Sequence, residues 1–286
     1  MAPPPRPRAF KPPVRKRFGQ HFLERAWVPK LLEVIKPRPG ERFLEIGPGA
    51  GQLTLPLARA GAHVVAVEID RDLAERLRQV APPAVQVISG DMLTQDTPAL
   101  MAICDPDATG SLRVVGNLPY NLSSPMLFQL LGIHRTQGGI RDATLMLQAE
   151  VAERIIAVPG SRTYGPLSIL TRLAADAERA LSLPPGAFRP PPRVRSALVT
   201  FRFREAPVEI EDPALFEKMV RSLFTQRRKT LLNALGPFAR TVSLRTPREL
   251  LESAGLASAR RPETLDIADL AALADTLTAG PRPVVQ

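Results

Sequence analysis

The residues best suited to chemistry lie in GNLPYNLSSP, a stretch that begins at Gly116 and follows a short apolar run. Asn117 brings a side-chain amide oxygen and Leu118 a backbone carbonyl, which together make two hydrogen-bond acceptors. Pro119 would fix the direction of that carbonyl, and Tyr120 would offer a flat face for stacking. Such a pocket suits the amino group of an adenine-like base, because the acceptors favour a pyramidal nitrogen with an available lone pair. A purely structural turn is the alternative, since Pro119 alone favours an extended residue before it.

A glycine-rich turn, GPGAGQL, follows the apolar segment RFLEI. Its glycines are Gly47, Gly49 and Gly51. A turn of this kind between a strand and a helix lets backbone N–H groups approach a ligand closely. Gln52 occupies the place of the third glycine in the dinucleotide-binding motif, and Glu45 just before the turn would repel phosphate. The turn is therefore predicted to suit a ligand with an ammonium group better than a dinucleotide.

Two acids stand at the ends of the next two apolar segments. Glu68, in VAVEID, is placed to accept hydrogen bonds from both hydroxyls of a ribose. Asp91, in SGDML, could accept from an adenine amino group while Met92 packs on the ring face. Each acid alone is more often a solvated residue at a strand end. Together they describe a site for a nucleoside with an amino-acid tail, which predicts S-adenosylmethionine (SAM) as the cofactor.

Short apolar segments rich in β-branched residues alternate with helical patterns in the first two thirds of the chain. The predicted strands are Arg42–Ile46, His63–Val67, Val85–Ser89, Leu112–Val115, Ala143–Leu147 and Ala197–Phe203. Helices are predicted at about Glu24–Ile35, Leu53–Ala60 and Arg71–Val80. This alternation predicts a doubly wound, Rossmann-like α/β sheet of the SAM-dependent methyltransferase kind. In such a sheet GNLPY and the glycine turn open into the same crevice.

The pattern becomes purely helical from about Glu205. Asp212 and Pro213 can begin one helix, Thr246 can cap a second, and a last helix starts at about Pro262. We therefore predict three parts: a disordered basic and proline-rich arm at 1–15, a SAM-dependent methyltransferase domain at 16–205, and a small helical domain at 206–286.

The composition restricts the partners and the compartment. The chain of 286 residues has 38 Lys and Arg against 28 Asp and Glu, a net charge of +10 that suggests a polyanionic partner. Its single cysteine, Cys104, excludes an internal disulfide framework and a multi-cysteine zinc site, and no metal is predicted. The apolar runs are too short for a membrane span, and the N-terminus lacks the apolar core of a secretory signal. These features predict a cytoplasmic protein, and the lack of an obvious association motif fits a monomer.

Seven motifs occur in the order found in the ribosomal RNA adenine dimethyltransferases, which this chain resembles from Lys16 to the helical region. They are KRFGQHFL, FLEIGPGAGQLT, VEID, GDML, GNLPYN, FRPPPRVRSA and FTQRRKTLLNAL. The closest resemblance is to the bacterial enzymes that act on small-subunit RNA. It implies SAM-dependent transfer of methyl groups to N6 of two adjacent adenosines near the 3′ end of small-subunit (16S) rRNA, during assembly of the 30S particle.

The resemblance also implies which residues bind the cofactor. The matching positions are His21, Leu23, Gly47, Glu68, Asp91 and Asn117. In the family the GQHFL segment folds over the methionine end of the cofactor. His21 stands where asparagine is common, so its contact is expected through the backbone as much as through the side chain.

Two groups of basic residues are predicted to bind RNA. They are Arg189, Arg193 and Arg195 in FRPPPRVRS, and Arg227, Arg228 and Lys229, expected near the end of an amphipathic helix. Such a run is usually a solvated face or a favourable charge at a helix C-terminus. Beside an adenine-methylating pocket, an RNA-binding surface is the better interpretation, and its phosphate contacts would weaken with salt.

Three alternatives stay open from the sequence. A large-subunit rRNA methyltransferase of the antibiotic-resistance type shares the fold and a similar loop. A non-catalytic ribosome assembly factor could keep the fold as a docking surface, although intact Glu68, Asp91 and Asn117 argue against lost activity. A DNA adenine methyltransferase is disfavoured because no segment resembles a sequence-reading domain.

Overall fold

The computed structural model describes residues 20–279, which form a seven-stranded sheet covered by helices, followed by a helical region. The predicted arm at 1–15 lies outside these residues. The strands are β1 (Phe22–Leu23), β2 (Arg42–Ile46), β3 (His63–Glu68), β4 (Val85–Ser89), β5 (Leu112–Asn117), β6 (Ile140–Gln148), β7 (Ala175–Leu183), β8 (Phe188–Arg189) and β9 (Ser196–Phe203).

Helices alternate with the strands of the sheet and then continue alone. They are α1 (Val28–Ile35), α2 (Thr54–Arg59), α3 (Arg71–Val80), α4 (Thr97–Cys104), α5 (Ser123–Gln137), α6 (Ala149–Ile156), α7 (Pro166–Ala174), α8 (Pro213–Thr225), α9 (Leu231–Val242), α10 (Pro247–Ser253) and α11 (Ile267–Thr278). Short 3₁₀ turns lie at Arg25–Trp27, Met92–Thr94, Pro185–Ala187 and Pro262–Thr264.

The strand order of the large sheet is β4-β3-β2-β5-β6-β9-β7. The five strands from β4 to β6 are parallel, and β9 and β7 add to one edge in antiparallel fashion. The chain enters this sheet at β2, adds β3 and β4 towards one edge, and then returns to β5 and continues towards the other edge. The sheet is therefore doubly wound. The fold class predicted from the sequence is confirmed. In such sheets, ligands bind beyond the carboxyl ends of the two neighbouring strands whose following connections leave towards opposite edges of the sheet. Here these strands are β2 and β5.

The strands β2 and β5 are held together at their amino ends by a buried arginine. Arg113, on β5, donates to both carboxylate oxygens of Asp142 (2.9 and 3.1 Å) and to Glu41 (2.8 Å). It also donates to the Ile35 carbonyl (2.7 Å) at the end of α1. A buried charge is tolerated when it is paired and fully hydrogen-bonded, as this one is. These contacts fix α1 and β6 against the centre of the sheet, opposite the ligand-binding edge.

The helical region begins as the sequence predicts. Asp212 accepts from the Leu215 N–H (2.9 Å) at the start of α8, and Thr246 forms a capping box with Glu249 at the start of α10. Arg227, Arg228 and Lys229 were expected near the end of a helix, but α8 ends at Thr225 and they lie in the turn before α9. The strand β7 and several helices, among them α6 and α7, were not predicted.

One hydrophobic cluster runs from the sheet into the helical region. It includes Val114 and Leu145 from the sheet and Phe216, Leu223 and Leu270 from helices α8 and α11. The division into separate domains at 205/206 stays a prediction, because the packing is continuous across it. Within residues 20–279, no helix combines the length and the apolar character needed to cross a membrane.

Candidate active site

One cavity lies at the carboxyl ends of the parallel strands, and it gathers every residue that the sequence predicted for cofactor binding or catalysis. These residues are His21, Leu23, Glu45, Gly47, Gly49, Glu68, Asp91, Met92, Asn117, Leu118, Pro119 and Tyr120. They come from β1 and from the ends of β2, β3, β4 and β5. Their convergence follows from the parallel order of the strands, and the individual role of each residue stays a prediction.

The glycine turn after β2 forms the floor of the cavity. Gly47 and Gly49 have φ values of 68° and 57°, in the left-handed region that favours glycine. The Gly47 N–H donates to the Val67 carbonyl (2.9 Å), which ties the turn to β3. A side chain at Gly49 would come within 3.1 Å of the Phe22 ring. The turn is therefore shaped by its glycines and packed from above by the segment that contains Phe22.

Glu68 is a buried acid whose two oxygens are both engaged by backbone donors. Oε2 accepts from the Gly49 N–H and Oε1 from the Asp70 N–H, each at 2.9 Å. Burial raises the pKa of Glu68, and the two N–H donors oppose that shift. A carboxylate oxygen can accept more than one hydrogen bond, so each oxygen keeps capacity for a ribose hydroxyl. The geometry suits the predicted role because two backbone hydrogen bonds fix the carboxylate before any ligand binds and leave part of its accepting capacity unused.

Glu45 lies in the cavity wall below the glycine turn and is 2% exposed. Among the described residues, no hydrogen-bond partner contacts its Oε2 atom. Burial, with a smaller contribution from the nearby Glu68, raises the pKa of Glu45 to about 7, and hydrogen bonding with Thr54 opposes the shift. A buried carboxyl with one oxygen that no described residue contacts by a hydrogen bond fits a ligand that brings a positive charge, such as the ammonium group of SAM.

The affinity for SAM is expected to fall as the pH is lowered from 7.5 to 6. The free protein holds Glu45 mostly protonated below its pKa of about 7, whereas an ammonium group above the turn favours the carboxylate, so binding must release a proton. Isothermal titration with SAM across this pH range would measure the effect. Glu45→Gln should bind more weakly at pH 7.5 with little pH dependence. An unchanged pH slope in that variant would assign the titration to another group, with Glu68 as the nearest.

Asp91 and Met92 mark the end of β4. Asp91 Oδ1 accepts from the Leu93 N–H (3.0 Å), which caps the following 3₁₀ turn and holds the side chain at the cavity. Met92 is 3% exposed, and its carbonyl accepts from Gln129 of α5 (3.0 Å). Both residues are therefore fixed at the cavity edge, where the sequence predicted an adenine ring.

The amide of Asn117, the last residue of β5, has a defined orientation. Its Nδ2 donates to the His21 carbonyl (2.6 Å), so Oδ1 is the atom left to accept. Neither Asn117 Oδ1 nor the Leu118 carbonyl accepts a hydrogen bond from another residue in 20–279. The Leu118 side chain is 1% exposed, which anchors the backbone next to these acceptors. Two unused acceptors at adjacent positions are what an amino group with two hydrogens requires.

Tyr120 stands beside these acceptors. Its hydroxyl is 2.6 Å from Ser196 Oγ at the start of β9, and its ring stacks on the His21 ring with centroids 5.3 Å apart. Burial raises the pKa of Tyr120, so the phenol stays neutral at physiological pH. A neutral aromatic ring of fixed orientation suits stacking on a base.

The segment 20–24 covers the cavity, a role that residue types alone did not reveal. β1 pairs with β8 in antiparallel fashion, and Phe22 and Gln20 line the cavity beside His21 and Leu23. The family motif indicated His21 and Leu23, but Phe22 and Gln20 were missed. No spacing signal could have found them, because their partners lie far away in the sequence.

The predicted RNA-binding residues divide into engaged and exposed side chains. Arg227 donates to Glu263 (2.7 Å) and to the Arg162 carbonyl (2.6 Å), so it links the turn after α8 to the turn after α6. Arg189 pairs with Glu24 at 2.5 Å beside the cavity cover. Arg193, Arg195, Arg228 and Lys229 are exposed, and Arg189 is both paired and exposed. RNA binding by all six stays a prediction, with Arg228 and Lys229 the more available pair on the helical region.

Comparisons with known proteins agree with the geometry. A family model described as ribosomal RNA adenine dimethylase matches residues 13–273. Ribosomal RNA small subunit methyltransferase A of Methylibium petroleiphilum is 45% identical over 94% of this chain and 98% of its own length. The protein of the same name from Pseudomonas fluorescens is 43% identical over 94% of this chain and 96% of its own length.

Two solved structures are similar over nearly the whole fold. A dimethyladenosine transferase from Plasmodium falciparum superposes with a TM-score of 0.71 at 24% identity, covering 88% of this chain and 96% of its own. The 23S rRNA methyltransferase ErmE superposes with a TM-score of 0.63 at 26% identity, covering 90% and 99%. At 88% and 90% coverage of this chain, both matches extend beyond the sheet into the helical region.

Proposed function

Since the chain belongs to the ribosomal RNA adenine dimethylase family, we propose that it transfers methyl groups from SAM to N6 of two adjacent adenosines near the 3′ end of small-subunit rRNA. Family membership makes it a SAM-dependent methyltransferase. The observation that carries the proposal is the pair of unused acceptors, Asn117 Oδ1 and the Leu118 carbonyl, beside the Tyr120 ring in the cavity that holds the glycine turn.

The described residues fit SAM in three places. Glu68 would hold the ribose, Asp91 and Met92 the adenine ring, and Glu45 would balance the charge of the amino-acid tail. When bound, SAM supplies an electrophilic methyl group on its sulfonium. The cover made by residues 20–24 would limit the access of water to that group, because Phe22 packs on the glycine turn.

The acceptors would prepare the target nitrogen for attack. The N6 lone pair of adenine is delocalised into the ring, and hydrogen bonds from its two N–H groups to Asn117 Oδ1 and the Leu118 carbonyl favour a pyramidal nitrogen. As the nitrogen–methyl bond forms and the sulfur–methyl bond breaks, N6 becomes positively charged and both hydrogen bonds strengthen. The N6 proton is then acidic and leaves to solvent. No general base is required before transfer.

The substrate would be an adenosine outside a helix, because a base must leave its stack to reach such a cavity. Arg193 and Arg195 next to the cavity, and Arg228 and Lys229 on the helical region, are exposed cations suited to phosphate contacts. We place the reaction in the bacterial cytoplasm on the assembling 30S particle, with a single copy of the chain acting. The identity of 45% to a small-subunit enzyme supports this substrate over large-subunit RNA, although the ErmE structure shares the fold.

One experiment tests the substrate. SAM with a labelled methyl group is supplied together with small subunits that lack the two dimethyladenosines, or with intact large subunits, or with duplex DNA. We expect label only in small-subunit RNA, at two adjacent adenosines as dimethyladenosine, mapped by nuclease digestion and mass spectrometry. Label confined to large-subunit RNA would overturn the proposal. Binding to small subunits with no label anywhere would instead favour a non-catalytic assembly factor.

A further inference from the structure

The imidazole of His21 is held between two loops of the active site. Its Nδ1 atom lies 2.8 Å from the Pro190 carbonyl oxygen. A carbonyl can only accept, so Nδ1 carries a proton and donates it. The ring stacks on Tyr120 with centroids 5.3 Å apart and an interplanar angle of 25°. His21 therefore joins the loop that carries the acceptors to the loop that carries Arg193 and Arg195.

Tyr120 depends on this contact for its orientation. Among residues 20–279 its hydroxyl has one hydrogen-bond partner, Ser196 Oγ, at 2.6 Å. A ring anchored only at its hydroxyl can still tilt, and the His21 ring restricts the tilt by covering one face. Stacking on a base requires a ring plane that is set beforehand, because ordering it during binding costs free energy.

The backbone of His21 has a separate task. Its carbonyl oxygen accepts from Asn117 Nδ2 at 2.6 Å, a contact that does not involve the imidazole. Substitution of the side chain can therefore remove the ring while keeping the orientation of the Asn117 amide. β1 starts at the next residue and its pairing with β8 is also a backbone contact, so the cover stays closed.

We propose that His21 is a positioning residue for the target base: its ring fixes the plane of Tyr120 so that the base enters a preformed pocket, and the hydrogen bond to Pro190 holds that ring in place. The inference rests on the proposed function and deepens it, because the resemblance places His21 only at the cofactor. The side chain acts through Tyr120 and Pro190 and touches no reacting atom.

Three variants separate the two contacts of the imidazole. His21→Phe keeps a ring for Tyr120 and loses the donor to Pro190, whereas His21→Asn keeps a donor and loses the ring. His21→Ala loses both. We expect the KM for small-subunit substrate to rise about tenfold in His21→Ala and nearly as much in His21→Asn, with His21→Phe within about threefold of the parent. The Kd for SAM should rise by a smaller factor than the KM in His21→Ala and His21→Asn, because the backbone of His21 is kept in every variant.

A second measurement does not depend on the RNA substrate. The chain has two tyrosines, and Tyr164 is 1% exposed, so it serves as an internal control for the folded state. Nitration of Tyr120 by tetranitromethane, followed by peptide mass spectrometry, should be faster in His21→Ala and His21→Asn than in His21→Phe. Faster nitration of Tyr164 as well would identify a variant that is unfolded, and the comparison would then rest on the variants whose Tyr164 is protected.

The results distinguish the two proposals. A parent protein that labels no small-subunit RNA contradicts the proposed function, and the nitration rates still test the contact between His21 and Tyr120. A SAM Kd that rises as much as the KM for RNA would make His21 a cofactor residue and overturn the inference. It is also overturned if His21→Phe behaves like His21→Ala in both assays, because the ring would then not be the cause.

Discussion

Replacement of Asn117 by alanine is expected to lower kcat for methyl transfer by about 10³-fold. Asn117 Oδ1 is one of two acceptors proposed for the target amino group, and its hydrogen bond strengthens as N6 becomes positively charged. The remaining acceptor, the Leu118 carbonyl, cannot by itself hold both hydrogens. Single-turnover assays with saturating SAM and small subunits would measure the rate, and filter binding would measure the affinity for the subunit.

The affinity for RNA should stay within about twofold of the parent protein, because Asn117 lies inside the cavity and phosphate contacts supply most of such binding. Asn117→Asp is the matched variant: it keeps an oxygen in place but loses the Nδ2 donor to the His21 carbonyl. It should fall between alanine and the parent. Turnover by Asn117→Ala within a few-fold of the parent would refute the acceptor mechanism.

The second large effect is expected at Glu68. Replacement by glutamine should raise the Kd for SAM by about 100-fold, which corresponds to about 3 kcal/mol. Both oxygens of Glu68 accept backbone N–H groups, so the amide nitrogen of glutamine would face a donor at either position. The variant loses the charge, one acceptor for a ribose hydroxyl and the hydrogen bond from either Gly49 or Asp70. Isothermal titration with SAM would measure the change.

Glu75→Gln provides the control for that measurement, because Glu75 lies on α3 outside the cavity lining, is 61% exposed and pairs only with Arg78 among the described residues. It should bind SAM as the parent does. Equal affinities of the Glu68→Gln variant and the parent would show that the ribose is held elsewhere.

The sheet, and the meeting of the site residues at one edge of it, could be predicted from the sequence. The patterns that mark strands and helices are local in the sequence. The strands RFLEI and VQVIS have the predicted bounds, and Arg71–Val80 forms the predicted helix, since buried parallel strands and amphipathic helices leave strong patterns. The order of parallel strands then brings Gly47, Glu68 and Asn117 to one edge, whatever the details of packing.

Other elements left no such pattern. β7 (ADAERALSL) lies at the sheet edge, carries no β-branched residue and alternates poorly between buried and exposed positions. α7 is buried on almost every side, so it lacks the polar face that marks a surface helix. The stack of His21 on Tyr120 joins residues about 100 positions apart, and contacts of that kind depend on how the segments pack.

The continuous packing between the sheet and the helical region has a consequence for substrate choice. Leu118 of the active-site cavity and Leu223 of α8 belong to one hydrophobic cluster, and Arg227 ties the turn after α8 to the turn after α6. The span from the methyl-transfer cavity to the exposed Arg228 and Lys229 is therefore set by a close-packed interior. We therefore expect the protein to select RNA by a distance. An RNA would be accepted when the spacing between its reactive adenosine and the phosphates that contact Arg228 and Lys229 matches this span in the protein.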